Sequence, residues 1–275
     1  MSGNTNNKVF FGKKLLILAA NAESISIVKR AKELGIYTIV TDHIAGSPAK
    51  AYADKSYDIN GTDIESVIQM AKVEKIDGIL VGVADPLVPS YVKIAERLQL
   101  PGYISSVNVD YFTDKKCFKH ALLQHGLHAI DEFSDMNNVE YPCVVKPIRG
   151  RGGKGVTLCY NFAELKEAVE VAKANSDNME IVIEKFMRCN DIIVDYFVCN
   201  GTTHLIGIGD RRTLNTNTSI SPVTYGTVYP SEVSDLFIEK CHDKFIRLFQ
   251  NLNIRDGIFE MQVFVDGQEF YPYDI

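Results

Sequence analysis

Four short apolar runs, most of them separated by stretches with helical spacing, occupy the first hundred positions. Residues 15–20 are continuously apolar and predict a buried strand. Ile27, Val28, Ala31 and Leu34 share one helical face within 23–34, and Gly35 stops that helix. Residues 37–40 predict a second strand ending at Thr41 and Asp42, and another strand is expected around 56–59. Asp63 opens a helix to 74, residues 78–81 form a further buried strand, and Pro86 starts a helix that runs to 98. Buried strands alternating with amphipathic helices predict βαβ units and a parallel sheet.

That arrangement is Rossmann-like, yet the turn after the first strand reads A-A-N-A-E-S and lacks G-x-G-x-x-G. Asp42 stands where NAD-binding folds carry a ribose acid, without the glycines that would support the role. Asp85 lies at the C-terminal edge of the sheet, where open sheets bind ligands. It fits a helix N-cap ahead of Pro86 equally well.

The texture changes after L-P-G-Y-I-S-S at 100–106. A helix is expected over 113–124, strands at 141–147 and 156–160, and a helix at 162–174. Strands then dominate, at 181–185, 192–199 and 204–209, followed by a Thr-, Asn- and Ser-rich loop over 213–230. An amphipathic helix over 231–252 and two strands, 257–265 and 269–274, joined by a tight turn at 266–268, end the chain. This second region reads as α+β with antiparallel sheets.

Composition narrows the function classes. A hydrophobic content of 46% with 23% charged residues is that of a globular protein. The net charge of -6 argues against a nucleic-acid partner. No apolar run reaches the roughly 18 residues of a membrane span, and the polar start lacks a signal core. The reading is a disordered leader over 1–13 and a cytoplasmic location. The six cysteines form no C-x-x-C pair and read as reduced, buried thiols. His120, His125 and His128 do not share one helical face, which argues against a zinc site.

The segment 141–156, Y-P-C-V-V-K-P-I-R-G-R-G-G-K-G-V, carries the chemistry. A short apolar run delivers Lys146 to a loop holding Gly150, Gly152, Gly153 and Gly155 together with Arg149, Arg151 and Lys154. Glycines let backbone N–H groups approach an anion, and the cations neutralise it. The lysine precedes the glycines, so this is not a Walker loop. The pattern points to a polyphosphate, although a Gly-rich hairpin also serves as a simple turn.

Five segments occur in order: T-D-K-K-C-F-K, V-V-K-P-I-R-G-R-G-G-K-G-V, I-V-I-E-K-F-M-R-C-N-D, G-I-F-E-M-Q-V and F-Y-P-Y-D-I. Together they resemble the ATP-grasp superfamily, and within it the carbamoyl-phosphate-synthase-like and D-alanine-ligase-like carboxylate–amine ligases. The resemblance begins near Lys14. It implies a Rossmann-like domain over 14–105, a first grasp lobe with the glycine loop over 106–185, and a second lobe over 186–275. It assigns Lys115, or its neighbour Lys116, to the α-phosphate, Lys146 as the second phosphate lysine, and Arg149 to Gly155 as the lid. Glu184 matches the acid near the adenine amino group. Lys185, Phe186 and Met187 match the adenine-reading segment, and Asp191 the ribose acid. Glu260 and Asp274 match the carboxylates that hold Mg²⁺, with Mn²⁺ as an alternative. Glu184 and Asp191 also fit solvated strand ends, and Lys115 and Lys116 a surface helix turn. Glu260 is expected to need a partner, because its neighbours Ile258, Phe259, Met261 and Val263 are apolar.

Family members make an acyl phosphate from ATP and a carboxylate, which an amine then attacks. The resemblance therefore implies ATP and Mg²⁺ as cofactors, small-molecule substrates and a homodimer. Arg211 and Arg212 are the candidate catalytic grips on the substrate anion, since arginine suits bidentate contact. They also fit a surface turn. The family pattern E-x-N-P-R is met only by Asp274, in place of Glu, and the chain stops at Ile275. That departure implies a truncated chain with an impaired metal site. Two other readings stay open: a non-catalytic ATP-binding module and an NAD(P)-dependent oxidoreductase.

Overall fold

The computed structural model describes residues 10–149, 153–176, 179–214 and 223–275. Two compact units divide between Val109 and Asp110. In the first, β1 (Lys14–Leu18), α1 (Ser24–Glu33), β2 (Tyr37–Thr41), β3 (Lys55–Tyr57), α2 (Ile64–Glu74), β4 (Gly78–Val81) and α3 (Val88–Leu98) follow in order. The strands form one parallel sheet ordered β3-β2-β1-β4. Leu16, Ile17, Leu18, Ile39 and Val40 are wholly buried, which explains their continuous apolar runs: a parallel sheet covered on both faces has no wet side. Residues 10–13, read above as leader, form a turn, and Lys13 pairs with Asp77 at 2.7 Å. Asp85 does not cap a helix. It lies inside a short 3₁₀ turn, Asp85–Leu87, that precedes α3.

The second unit begins with α4 (Asp110–Thr113) and α5 (Lys115–Gln124). Asp114 caps α5 by accepting from the backbone N–H groups of Lys116 and Cys117. A three-stranded antiparallel sheet follows, ordered β6-β5-β7, from β5 (Cys143–Pro147), β6 (Thr157–Cys159) and β7 (Ile181–Lys185), with α6 (Phe162–Ala174) packed on it. The last sheet is antiparallel and five-stranded, ordered β10-β9-β8-β11-β12. Its strands are β8 (Asn190–Cys199), β9 (Thr202–Leu214), β10 (Val223–Val228), β11 (Gly257–Asp266) and β12 (Glu269–Asp274). Between β10 and β11 run α7 (Ser234–Phe237), a single π-helical turn and α8 (Asp243–Asn251). Of the loop expected over 213–230, residues 215–222 lie outside the described residues, β9 extends to Leu214 and β10 covers Val223–Val228.

Alternation sets the geometry of the five-stranded sheet. Ile192, Val194, Tyr196 and Val198 of β8, with Phe259, Met261, Val263 and Val265 of β11, are buried against α5 and α8. The intervening residues form an open face. Among the described residues no helix is long and apolar enough to cross a membrane. The core rests on Phe245, wholly buried among Tyr196, Phe237 and Phe249 with ring centroids 5.9–6.4 Å away. Phe245→Ala is expected to lower the unfolding free energy by about 3–5 kcal/mol, measured by urea denaturation.

Candidate functional site

Strand β5 alternates, so Cys143 and Val145 enter the core while Lys146 turns to the other face. There its Nζ meets Glu184 Oε2 of β7 at 2.6 Å, both side chains almost out of water. A charge pair this enclosed holds two side chains ready that would otherwise be costly to bury. Lys115, at the start of α5, lines a small cleft with Glu184, Ile130 and Tyr273, whereas Lys116 is exposed. The backbone N–H groups of Lys185 and Phe186 are already donated, to the carbonyls of Asp131 and Pro142. Among the described hydrogen bonds, Met187 keeps its N–H uncommitted within that segment.

The glycine loop is seated at both stems. Arg149 does not present a free cation: its Nε reaches Asp114 and its Nη2 reaches Asp110, both at 3.0 Å. Gly153 and Gly155 have φ of +71° and +73°. A Cβ on Gly155 would also lie 2.8 Å from that of Asn175, so both backbone and space demand glycine there. Lys154 is exposed. Gly150, Arg151 and Gly152 lie outside the described residues.

The open face of the five-stranded sheet can be read in rows, about 7 Å apart along the strands. One row holds Phe264, Asp191 and Arg211; the next Gln262, Ile193 and Gly209; then Glu260, Asp195 and Gly207; then Ile258, Phe197 and His204. Asp274 pairs with Gln262 at a bulge in β12 that also sets Tyr273 against Gln262, so the strand irregularity brings Asp274 beside the row of Glu260. Glu260 is exposed, so the expectation of an acid embedded in apolar surroundings is wrong. Phe259, Met261 and Val263 point into the core, while Glu260 points away from it. Two hard carboxylates in neighbouring rows fit a divalent cation that takes further oxygens from phosphate and water. Among the described residues no group of three or more His, Cys, Asp or Glu side chains could hold a metal ion.

Arg211 and Arg212, the candidate grips on a substrate anion, are successive residues of β9 that line one cleft with Asp191, Asp210 and Glu232, but their guanidinium groups have different partners. Arg211 Nη1 contacts Asp191 Oδ2 at 2.5 Å, Gln262 at 2.9 Å and the Tyr273 hydroxyl at 2.7 Å, and its Nε and Nη2 reach Thr224 Oγ1. This guanidinium is spent inside the sheet. Arg212 lies near Asp210 at 3.7 Å and lines a cleft with Asn190, Glu232 and Val233. Asp191, expected at a ribose, is enclosed instead. Burial pushes its carboxyl up, opposed by Arg211 and Tyr273, and its Oδ1 is buried with no hydrogen-bond partner among the described residues.

Two residues escaped the sequence reading. Tyr229 lies over Gly207 and Gly209, where an added Cβ would come within 3.1 and 2.8 Å of its ring, and donates to Asp195 Oδ2 at 2.7 Å. Asp195 sits directly opposite Glu260. The signal was G-I-G at 207–209, two glycines on one strand face, which marks close approach of another group.

A family model described as the ATP-grasp domain matches residues 139–272. The formate-dependent phosphoribosylglycinamide formyltransferase of a Nitratiruptor species is 26% identical over 271 residues, covering 94% of this chain and 68% of that protein. The ADP-complexed N5-carboxyaminoimidazole synthetase from Staphylococcus aureus shares the fold with a TM-score of 0.80 at 17% identity, over 98% of this chain and 71% of that one. So does the biotin carboxylase domain of Hydrogenobacter thermophilus 2-oxoglutarate carboxylase, solved with MgADP and bicarbonate, at a TM-score of 0.80 and 17% identity over 95% and 63%.

The Tyr229 phenol is pushed up to about 12, first by burial and then by its bond to Asp195. A folded-state value above the ordinary 10 means that its stabilising contribution is full below pH 10 and lost as pH rises through about 12. Ultraviolet difference titration against the parent should show that Tyr229→Phe loses a phenol titrating at about 12 and that Asp195→Asn moves it back toward 10.

Proposed function

We propose, from the match of residues 139–272 to the ATP-grasp domain, that this chain binds MgATP and activates a substrate carboxylate as an acyl phosphate for attack by an amine. The carboxylate oxygen bonds to the γ-phosphorus as ADP leaves. The ammonium gives up a proton, the amine nitrogen bonds to the acyl carbon as inorganic phosphate leaves, and the nitrogen sheds a second proton to give the amide. The observation that carries the reading is the enclosed Lys146–Glu184 pair at the root of the glycine loop. A lysine parked on a carboxylate can exchange that partner for a phosphate oxygen while Glu184 accepts from an amino group of the base. Lys115 lies close enough to the same cleft to join it.

Glu260 and Asp274 would hold Mg²⁺, or Mn²⁺, against the phosphates. The ion supplies charge neutralisation to the transferring phosphoryl group. The described part of the glycine loop, Gly153 to Gly155, supplies backbone donors and Lys154. Asp191 could reach a ribose hydroxyl only through Oδ1, because Oδ2 is held by Arg211 and Tyr273.

One observation favours a second reading, an ATP-binding module without turnover: Arg211, assigned to the substrate anion, is spent on Asp191. Calorimetric titration should give MgATP binding in the parent, weakened at least tenfold in Lys146→Ala, a loss of about 1.4 kcal/mol or more. Circular dichroism checks that Lys146→Ala is folded, since it strands Glu184. ADP release on adding carboxylates and amines supports the ligase; binding without release supports the module. No MgATP binding in the parent would sink both.

A further inference from the structure

The open face ends in a row that the ligase reading leaves without a task. Phe197 and Ile258 are directly paired there, 40% and 74% exposed. Ile206, 61% exposed, occupies the bulge that offsets β9 from β8 beside them. Large apolar side chains grouped on a wet sheet face mark a contact surface rather than a solvated one. The next row inward is acidic, with Asp195 and Glu260 on neighbouring strands directly opposite each other. Asp195 brings a carboxylate to this row with one oxygen held by Tyr229, and a carboxylate so placed favours a cationic group beside it.

The rows also have a direction. Asp191, Tyr273 and the Glu184 cleft lie at one end, where the base and ribose of a nucleotide are assigned. The carboxylates assigned to the metal follow. A group that displaces phosphate from the acyl carbon must then come from beyond Glu260, which is the side of Phe197 and Ile258. Tyr229 walls that approach from β9 and fixes one oxygen of Asp195, while the other can take an ammonium N–H.

We propose that this row seats the acceptor, and that the acceptor is a primary amine with an apolar body. Its ammonium rests on Asp195 and its carbon skeleton lies on Phe197 and Ile258. The inference rests on the ligase reading, because it takes the order of base, metal and acceptor along the face from it. Charge complementarity selects an amine over a neutral partner, and the apolar row selects a hydrocarbon or aryl substituent over a polar one.

The test titrates 2-phenylethylamine into the full chain, with and without saturating MgADP, alongside 2-phenylethanol and ethylamine. The amine with the aryl body is expected to bind at least tenfold more tightly than either control. Asp195→Asn and Phe197→Ala, the latter at an exposed position, should each weaken it at least fivefold, and Phe197→Ala should leave MgADP affinity within twofold. Equal binding of ethylamine, or affinity unchanged in both variants, overturns the proposal. So does a dimer in sedimentation that Phe197→Ala converts to monomer with amine affinity unchanged, which would give the row to a second copy of the chain. Absence of MgADP binding would instead count against the nucleotide reading, and the titration without nucleotide would still report on the row.

Discussion

The two-residue period of one antiparallel sheet governs most of what this chain can do. Core residues of β8 and β11 must all fall on the side covered by α5 and α8, because that side holds the cluster around Tyr196, Phe245 and Phe249. A slip of one residue would turn every one of them to water. The same register therefore commits Asp191, Asp195, Glu260 and Gln262 to the opposite face. The site is the complement of the core, and neither could shift without the other.

A second regularity is that the cations proposed for anion contact are mostly held by the chain's own carboxylates. Lys146 rests on Glu184, Arg149 on Asp114 and Asp110, and Arg211 on Asp191. Charges with little access to water need such partners, and losing one partner leaves the other uncompensated. The pairs differ in what they permit. Lys146 has one carboxylate and a flexible stem, so it can change partners. Arg211 is tied to four side chains and acts as a clamp across β8, β9, β10, β11 and β12. Arg149 anchors the loop stem to the helix that carries Lys115.

The parallel sheet, the antiparallel second unit and the ATP-grasp likeness of residues 139–272 were legible in the chain because they depend on local period and on motif order. The Lys146 strand and the glycine loop were legible for the same reason. What was not legible depended on which face a residue takes or on partners far along the chain. Glu260 was misread because Ile258 was counted with Phe259 and Met261, although alternation puts it on the other face. Arg211 was read as a substrate grip because its tie to Asp191, Gln262 and Tyr273 spans up to 62 residues. Tyr229 and Asp195 went unseen because their pairing crosses a stretch that looked like loop, with only Gly207 and Gly209 to mark it.

On nucleotide binding, Lys146 is expected to leave Glu184 for a phosphate oxygen while Glu260 and Asp274 face the metal on the open sheet. The decisive measurement is a crystal structure of the chain grown with MgADP. The expected result is Lys146 Nζ within hydrogen-bonding distance of the nucleotide phosphate and both carboxylates ligating the ion. Nucleotide bound elsewhere, with the 2.6 Å Lys146–Glu184 pair intact, would contradict it.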